Sequence, residues 1–186
     1  MNTAGSFSIG GSTITGFTGD PINYANNSTG NQKLTISNSS FYANTGNVLV
    51  KPTAGSSLFG SIRGLSLSSS GMVFDNTSAV NTKIGFLFDN SILRYNGGTA
   101  ITANSAGTNC PGPTCVFVQV YIDKSELFNL NTGLVATGAG AFILMNESSA
   151  VNISTLVGTS TGNVNSIGNN MVSVATIGTH GLTAPH

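Results

Sequence analysis

The chain has 186 residues, a length that suits one domain, with six Lys and Arg balancing six Asp and Glu and a charged fraction of only 6%. A neutral, charge-poor chain carries no electrostatic footprint for a phosphate backbone and no basic excess for an anionic membrane, which argues against nucleic acid and membrane surfaces as partners. Hydrophobic residues make up 39%, too many for a disordered polar tract, and no run approaches the ~20 apolar residues of a membrane-spanning helix.

Gly, Ser, Thr and Asn fill much of the remainder, and they favour turns and pleated strands over helix interiors. Residues Met1 to Gly11 contain neither a basic n-region nor an apolar h-region, so no signal peptide is read there. The pattern from Ser6 to Ile14 already resembles the middle of a repeat, and the chain is expected to begin inside a longer protein. The first full repeat is Leu34-Thr-Ile-Ser-Asn-Ser39-Ser-Phe-Tyr-Ala-Asn44. The next is Ile62 to Phe74, with a shortened turn, followed by Phe86-Leu-Phe-Asp-Asn-Ser91-Ile-Leu-Arg-Tyr-Asn96. Two more are Val120-Tyr-Ile-Asp-Lys-Ser125-Glu-Leu-Phe-Asn-Leu130 and Ile143-Leu-Met-Asn-Glu-Ser148-Ser-Ala-Val-Asn-Ile153, and a last coil runs from Val164 to Val174. Each clear copy is an alternating strand, a polar turn with Ser, a small apolar residue, and a second turn.

The serines set the period. Ser39 and Ser91 are 52 residues apart, or two coils of 26, and Ser125 and Ser148 are 23 apart. Ser91 and Ser125 are 34 apart, and the excess fits a loop insertion at about residues 103–115. Short alternating strands at such a period predict a solenoid, here an all-β right-handed parallel β-helix with coils of about 23–26 residues. It forms a single domain over 1–178, with a C-terminal tail at 179–186. Period-2 alternation turns Leu34 and Ile36, Leu65 and Leu67, Phe86 and Phe88, Val120 and Ile122, and Ile143 and Met145 into one core. The outward column reads Thr35, Ser66, Leu87, Tyr121 and Leu144, joined by Gln119 and Phe142. Its C-terminal half is apolar and aromatic, which predicts an interface at Leu87, Tyr121, Phe142 and Leu144.

The run Leu34 to Pro52 resembles the right-handed parallel β-helix repeat-containing proteins common in bacteria. So do Asp89 to Gly98, Ser125 to Leu134 and Ser166 to Ser173. The wider group that the chain is similar to is the pectate-lyase-like superfamily. The resemblance covers roughly residues 30 to 175 and implies the fold more than an activity. The Asn-Thr-Asp, Asp-Asp and Gly-His-Gly elements of polygalacturonases do not occur, and no cluster of calcium-binding aspartates with a basic partner is evident. The repeat also departs from its own pattern: the turn column of Asn44 and Asn96 becomes Leu130 and Ile153, so the later coils are expected to close that corner by apolar packing.

Several residues admit chemistry. Asp89 and Asp123 fall at equivalent positions of successive coils and could share a cation or act as an acid/base pair, although the column fits a polar turn equally. Glu126 and Glu147 are out of register and read as separate surface charges. Arg63 and Arg94 are possible carboxylate clamps. His180 and His186 lie in the tail and assemble into no triad. The sequons at Asn26, Asn27, Asn38, Asn76, Asn146 and Asn152 follow from composition. Cys110 and Cys115 flank Pro-Gly-Pro, a spacing wrong for a CxxC pair; they form either a disulfide within an exposed loop, if the protein is exported, or two free thiols. The resulting expectation is a non-catalytic extracellular or cell-surface module that forms a homo-oligomer or filament without a cofactor or metal. The alternative is a polysaccharide-binding or polysaccharide-degrading β-helix protein.

Overall fold

A computed structural model describes residues 5–25, 30–52, 57–77, 82–94, 97–105 and 117–178. The first coil comprises β1 (Ser6–Gly10), β2 (Thr13–Thr15) and β3 (Ile22–Tyr24). The second comprises β4 (Gln32–Ser37), β5 (Ser40–Tyr42) and β6 (Val48–Val50), and the third β7 (Leu58–Arg63), β8 (Ser66–Ser68) and β9 (Met72–Asp75). The fourth is β10 (Ile84–Asp89), β11 (Ile92–Arg94) and β12 (Thr99–Asn104). In the fifth, β13 (Val118–Asp123) is followed by one long strand, β14 (Glu126–Thr137), and in the sixth β15 (Ala141–Asn146) by β16 (Ser149–Val157). A final partial coil holds β17 (Asn163–Ile167) and β18 (Met171–Thr176). All of these pair in parallel with the equivalent strand of the next coil, giving a β-solenoid of about six turns. The described residues contain no helix.

The first strand of every coil joins a seven-stranded sheet in the order β1-β4-β7-β10-β13-β15-β17. Its inward columns stack like on like: Ile36, Ile62, Phe88, Ile122 and Met145 are successive register partners, all buried. The remaining strands line the other walls, where Phe41, Leu67, Leu93, Leu127 and Ala150 form one buried column and Val48, Met72, Ile101 and Leu134 another. The single core lies between these walls. Where one coil supplies no side chain, the next overfills: Gly60 sits beside Phe86, whose ring lies 4.8 Å from Phe74 centroid to centroid.

All ten side chains expected in the core are buried. One register differs from the sequence reading. Leu65, Ser66 and Leu67 do not belong to the first sheet; Leu58–Arg63 does, and Ser61 takes the outward place between Thr35 and Leu87. The physical reason is Gly60, which occupies the inward position of β7 and so hides the alternation of that strand.

The corner between the first and second strands is built alike in every coil. One residue adopts a left-handed conformation: Gly11, Asn38, Gly64, Asn90, Lys124, Glu147 and Gly168, with φ between 43° and 69°. The next position is Ser in most coils, and its hydroxyl bridges two coils. Ser125 Oγ donates to the carbonyl of Asp123 at 2.7 Å and accepts the main-chain N–H of Ser91 at 3.1 Å. Ser39, Ser91 and Ser148 repeat this geometry, and Asn170 Oδ1 accepts the Ser148 N–H at the end of the column. The column breaks once, at Leu65. Coil length varies around this fixed corner, with steps of 26, 34 and 23 residues between partners.

The second corner changes character along the chain. Buried Asn44 closes it early, accepting Phe17 N–H at 3.0 Å and donating to the Ile14 carbonyl at 3.2 Å. Asn96, the other residue expected there, lies outside the described residues. In the fifth and sixth coils the expected apolar closure is found: Leu130 and Ile153 are buried register partners, and the strand bends at left-handed Asn129 and Asn152 without ending. Those two asparagine side chains hydrogen-bond to one another.

Replacing Ser125 by Ala leaves the buried N–H of Ser91 without its acceptor, and is expected to cost ~1–3 kcal/mol. Gly60→Ala sets a Cβ about 2.2 Å from the Leu34 carbonyl oxygen and 2.3 Å from Phe86 Cε1. That overpacking is expected to cost ~3 kcal/mol or more, with backbone as one of the clashing partners. Urea unfolding followed by circular dichroism measures both.

Candidate interaction surface

The outer side of the first sheet carries three columns. The first holds Lys33, Phe59, Gly85, Gln119, Phe142 and Asn163, and the second Thr35, Ser61, Leu87, Tyr121, Leu144 and Asn165. The third, beside the serine corner, holds Ser37, Arg63, Asp89, Asp123, Asn146 and Ile167. The first two columns have no charged residue from Phe59 onward. Phe59 is 50% exposed and Tyr121 40%, while Leu87, Phe142 and Leu144 are half-buried. The strip spans four coils, about 14 Å along the axis at ~4.8 Å per coil. Polar residues bound it at both ends, Lys33 and Thr35 on one side and Asn163 and Asn165 on the other. Gly85 is needed here, because a Cβ on it would meet the Phe59 ring at 2.8 Å. Gln119 Nε2 donates to the Tyr121 hydroxyl two residues on.

The structure thus brings the four expected interface residues, Leu87, Tyr121, Phe142 and Leu144, onto one face. Sequence reasoning missed Phe59, the most exposed of the strip. A 26-residue step from Lys33 lands on it, the same step that separates Asn44 from Ser70.

The charges are collected in the third column and paired there. Asp89 and Asp123 are register partners, as the repeat implies. Each is engaged sideways with a different group. Arg63 Nε lies 3.4 Å from Asp89 Oδ2, and Asn146 Nδ2 donates to Asp123 Oδ1 at 2.7 Å. Lys124 Nζ stands 3.7 Å from Asp123 and 3.9 Å from Glu147, so Glu147 pairs across the corner whereas Glu126 starts the next strand. Among the described residues no three His, Cys, Asp or Glu side chains converge into a metal-binding group. Asn76, one of the sequons, is buried and donates to the Thr82 carbonyl at 2.9 Å. Cys110, Cys115, His180, His186, Asn26 and Asn27 lie outside the described residues.

An open groove of about 540 Å³ follows the serine corner over several coils, lined by Asn90, Lys124, Glu126, Glu147 and Met171 among others. The hydroxyls of Ser91, Ser125 and Ser148 in its lining are committed to the bridges between coils. Comparison of the chain with protein families, with curated proteins and with solved structures finds no match.

Arg63 is 62% exposed at its side chain, so its pairing with Asp89 is solvent-screened. Arg63→Ala is expected to lower stability by under ~1 kcal/mol, and by less still in 1 M salt. Urea titrations at two ionic strengths measure the effect.

Proposed function

We propose that the chain is a non-catalytic surface-interaction module that works outside the cytoplasm and associates with a second copy of itself through the outer side of its first sheet. The observation that supports this reading is the uncharged strip of Phe59, Leu87, Tyr121, Phe142 and Leu144, placed on the outer side of one continuous parallel sheet and rimmed by polar residues. Aromatic side chains concentrated in a patch and charge displaced to its margin are the composition of an interface centre. The two acidic residues that resemble a site are compensated by Arg63, Asn146 and Lys124, which suits structure better than proton transfer. Sedimentation of the 186-residue chain tests it. Association in the micromolar range that weakens at least tenfold in the Tyr121→Lys/Leu144→Lys double variant is the expected result. A monomer at high micromolar concentration, or association untouched by that variant, overturns it.

A second reading has its own observation. Phe59 packs beside Gly85 with half its surface open, and Gln119 and Tyr121 follow two coils further along the same face, a row suited to stacking a sugar chain and bonding its hydroxyls. In this reading the chain is a polysaccharide-binding β-helix protein of the pectate-lyase-like group. Glycan-array binding that Phe59→Ala removes, with the fold intact by circular dichroism, is the result that favours it. Turnover of an acidic polysaccharide that Asp89→Asn or Asp123→Asn abolishes overturns both non-catalytic readings.

A further inference from the structure

A further outward column flanks the apolar strip on the side away from the serine corner. It holds Asn31, Ser57, Lys83, Phe117 and Gly140, and the main-chain ladder runs through it. Gln32 N–H donates to Ser57 O, Leu58 to Lys83 O, Ile84 to Phe117 O and Val118 to Gly140 O, between 2.6 and 3.1 Å. Lys83 is exposed and is the one charged side chain of this column. Among the described residues no carboxylate lies within ion-pair distance of its ammonium, whereas Lys51, Arg63 and Lys124 each have one. The opposite margin of the strip carries the carboxylates of Asp89 and Asp123, whose side chains are 28% and 26% exposed. Lys83 and Asp89 belong to the same coil, but six residues of extended chain, ~20 Å, keep them apart within one molecule.

The two columns of the strip complement each other in size. In the third coil the first column carries Phe59 and the second Ser61; in the fourth the first carries Gly85 and the second Leu87. The fifth and sixth coils set Gln119 beside Tyr121 and Phe142 beside Leu144. A two-fold axis laid along the solenoid between these columns exchanges them coil by coil. It brings Ser61 of a second copy against Phe59, and Leu87 of the second copy against Gly85, so large meets small. The same operation exchanges the two margins and sets Lys83 opposite Asp89 of the second copy, once on each side. Sheets packed face to face lie ~10 Å apart, a gap that a lysine and an aspartate side chain bridge together. Arg63 then faces the uncharged Ser57, so no cation meets a cation. Turning the second copy end for end gives the opposite result. Phe59 then meets Phe142, Leu87 meets Tyr121, Lys83 meets Phe117, and Asp89 meets Asp123, carboxylate on carboxylate.

We infer that the second copy lies parallel to the first and in register with it, across this two-fold axis, with a Lys83–Asp89 contact on each margin of the apolar strip. The inference rests on the lateral association proposed above and adds its orientation and the residues that select it. The contact is isologous: one patch serves both sides, so it closes as a dimer. Phe59, Leu87 and Tyr121 form its apolar centre, and the charges on the rim choose between the two orientations, since like charges set face to face disfavour the wrong one.

Sedimentation equilibrium of the 186-residue chain at low ionic strength tests it, with Lys83→Glu, Asp89→Lys and the double variant. Each single variant turns two attractions into two repulsions and is expected to raise the dimer dissociation constant ~tenfold. The double variant restores both pairs with their signs exchanged and is expected to return to within ~threefold of the parent, which independent sites would not do. Asp89→Asn removes the charge without placing a cation beside Arg63 and is expected to weaken the dimer ~threefold. Salt at ~0.5 M is expected to shrink all of these differences. Circular dichroism matching the parent establishes that the variants fold. In the end-for-end dimer Asp89→Lys has the opposite sign, because it replaces a repulsion from Asp123 by an attraction. A dimer that Tyr121→Lys/Leu144→Lys dissolves, but that Asp89→Lys tightens, that no charge variant weakens, or that the double variant fails to restore, overturns the inference and leaves the lateral association standing. A parent chain that is monomeric at high micromolar concentration overturns both.

Discussion

A solenoid must turn its chain inward at every coil without burying an unsatisfied amide, and the serine corner is how this protein meets that constraint. The left-handed residue makes the bend, and the following hydroxyl takes an N–H from the coil before while returning its own proton to a carbonyl two residues back. The energies nearly balance. Holding Lys124 or Glu147 in the left-handed region costs ~1–2 kcal/mol, and the two bonds of each hydroxyl return ~0.5–1.5 kcal/mol apiece. Glycine or asparagine at the other corners reduces the cost and leaves a surplus. Leu65 is the instructive exception: it gives up a bridge worth ~1 kcal/mol and buries a side chain worth ~1.5–3 kcal/mol, so the stack tolerates one missing bridge.

With the corner fixed, the strands on either side inherit their register, and the core follows from it. Side chains meet their equivalents one coil away rather than partners distant in sequence, so size is matched locally. Gly60 against Phe86 is the clearest case. The same register sorts the outside: charges fall in the column nearest the corner, where Arg63 pairs with Asp89, and Asp123 accepts a hydrogen bond from Asn146 and faces Lys124. From Phe59 onward the neighbouring columns are left free of charge, and that is what makes an apolar strip possible on a chain this poor in ionised groups.

Much of this was legible in the sequence because a parallel stack writes itself as a period. Ser39, Ser91, Ser125 and Ser148 mark the corners, and the alternating residues around them are the core. The Leu130 and Ile153 departures announce a corner closed by packing. The hidden parts have physical reasons. Gly60 erases the inward signal of its strand, which displaced the third coil and concealed Phe59. The bridging role of the serines leaves no mark beyond the residue type, since a hydroxyl in a polar turn reads the same whether it faces water or another coil. The pairing of Asp89 with Arg63 was obscured by that displaced register, which set Arg63 off the column.

The coil between Ser91 and Ser125 is 34 residues long, yet its bridge at 3.1 Å is indistinguishable from that of its 23-residue neighbour at 3.0 Å. Corner geometry is therefore blind to what the chain does on the far side of the coil. Insertions and deletions there leave the periodic scaffold in phase, so natural selection can lengthen, shorten or exchange those segments one coil at a time. The fold is in this sense a fixed spine with margins of variable length.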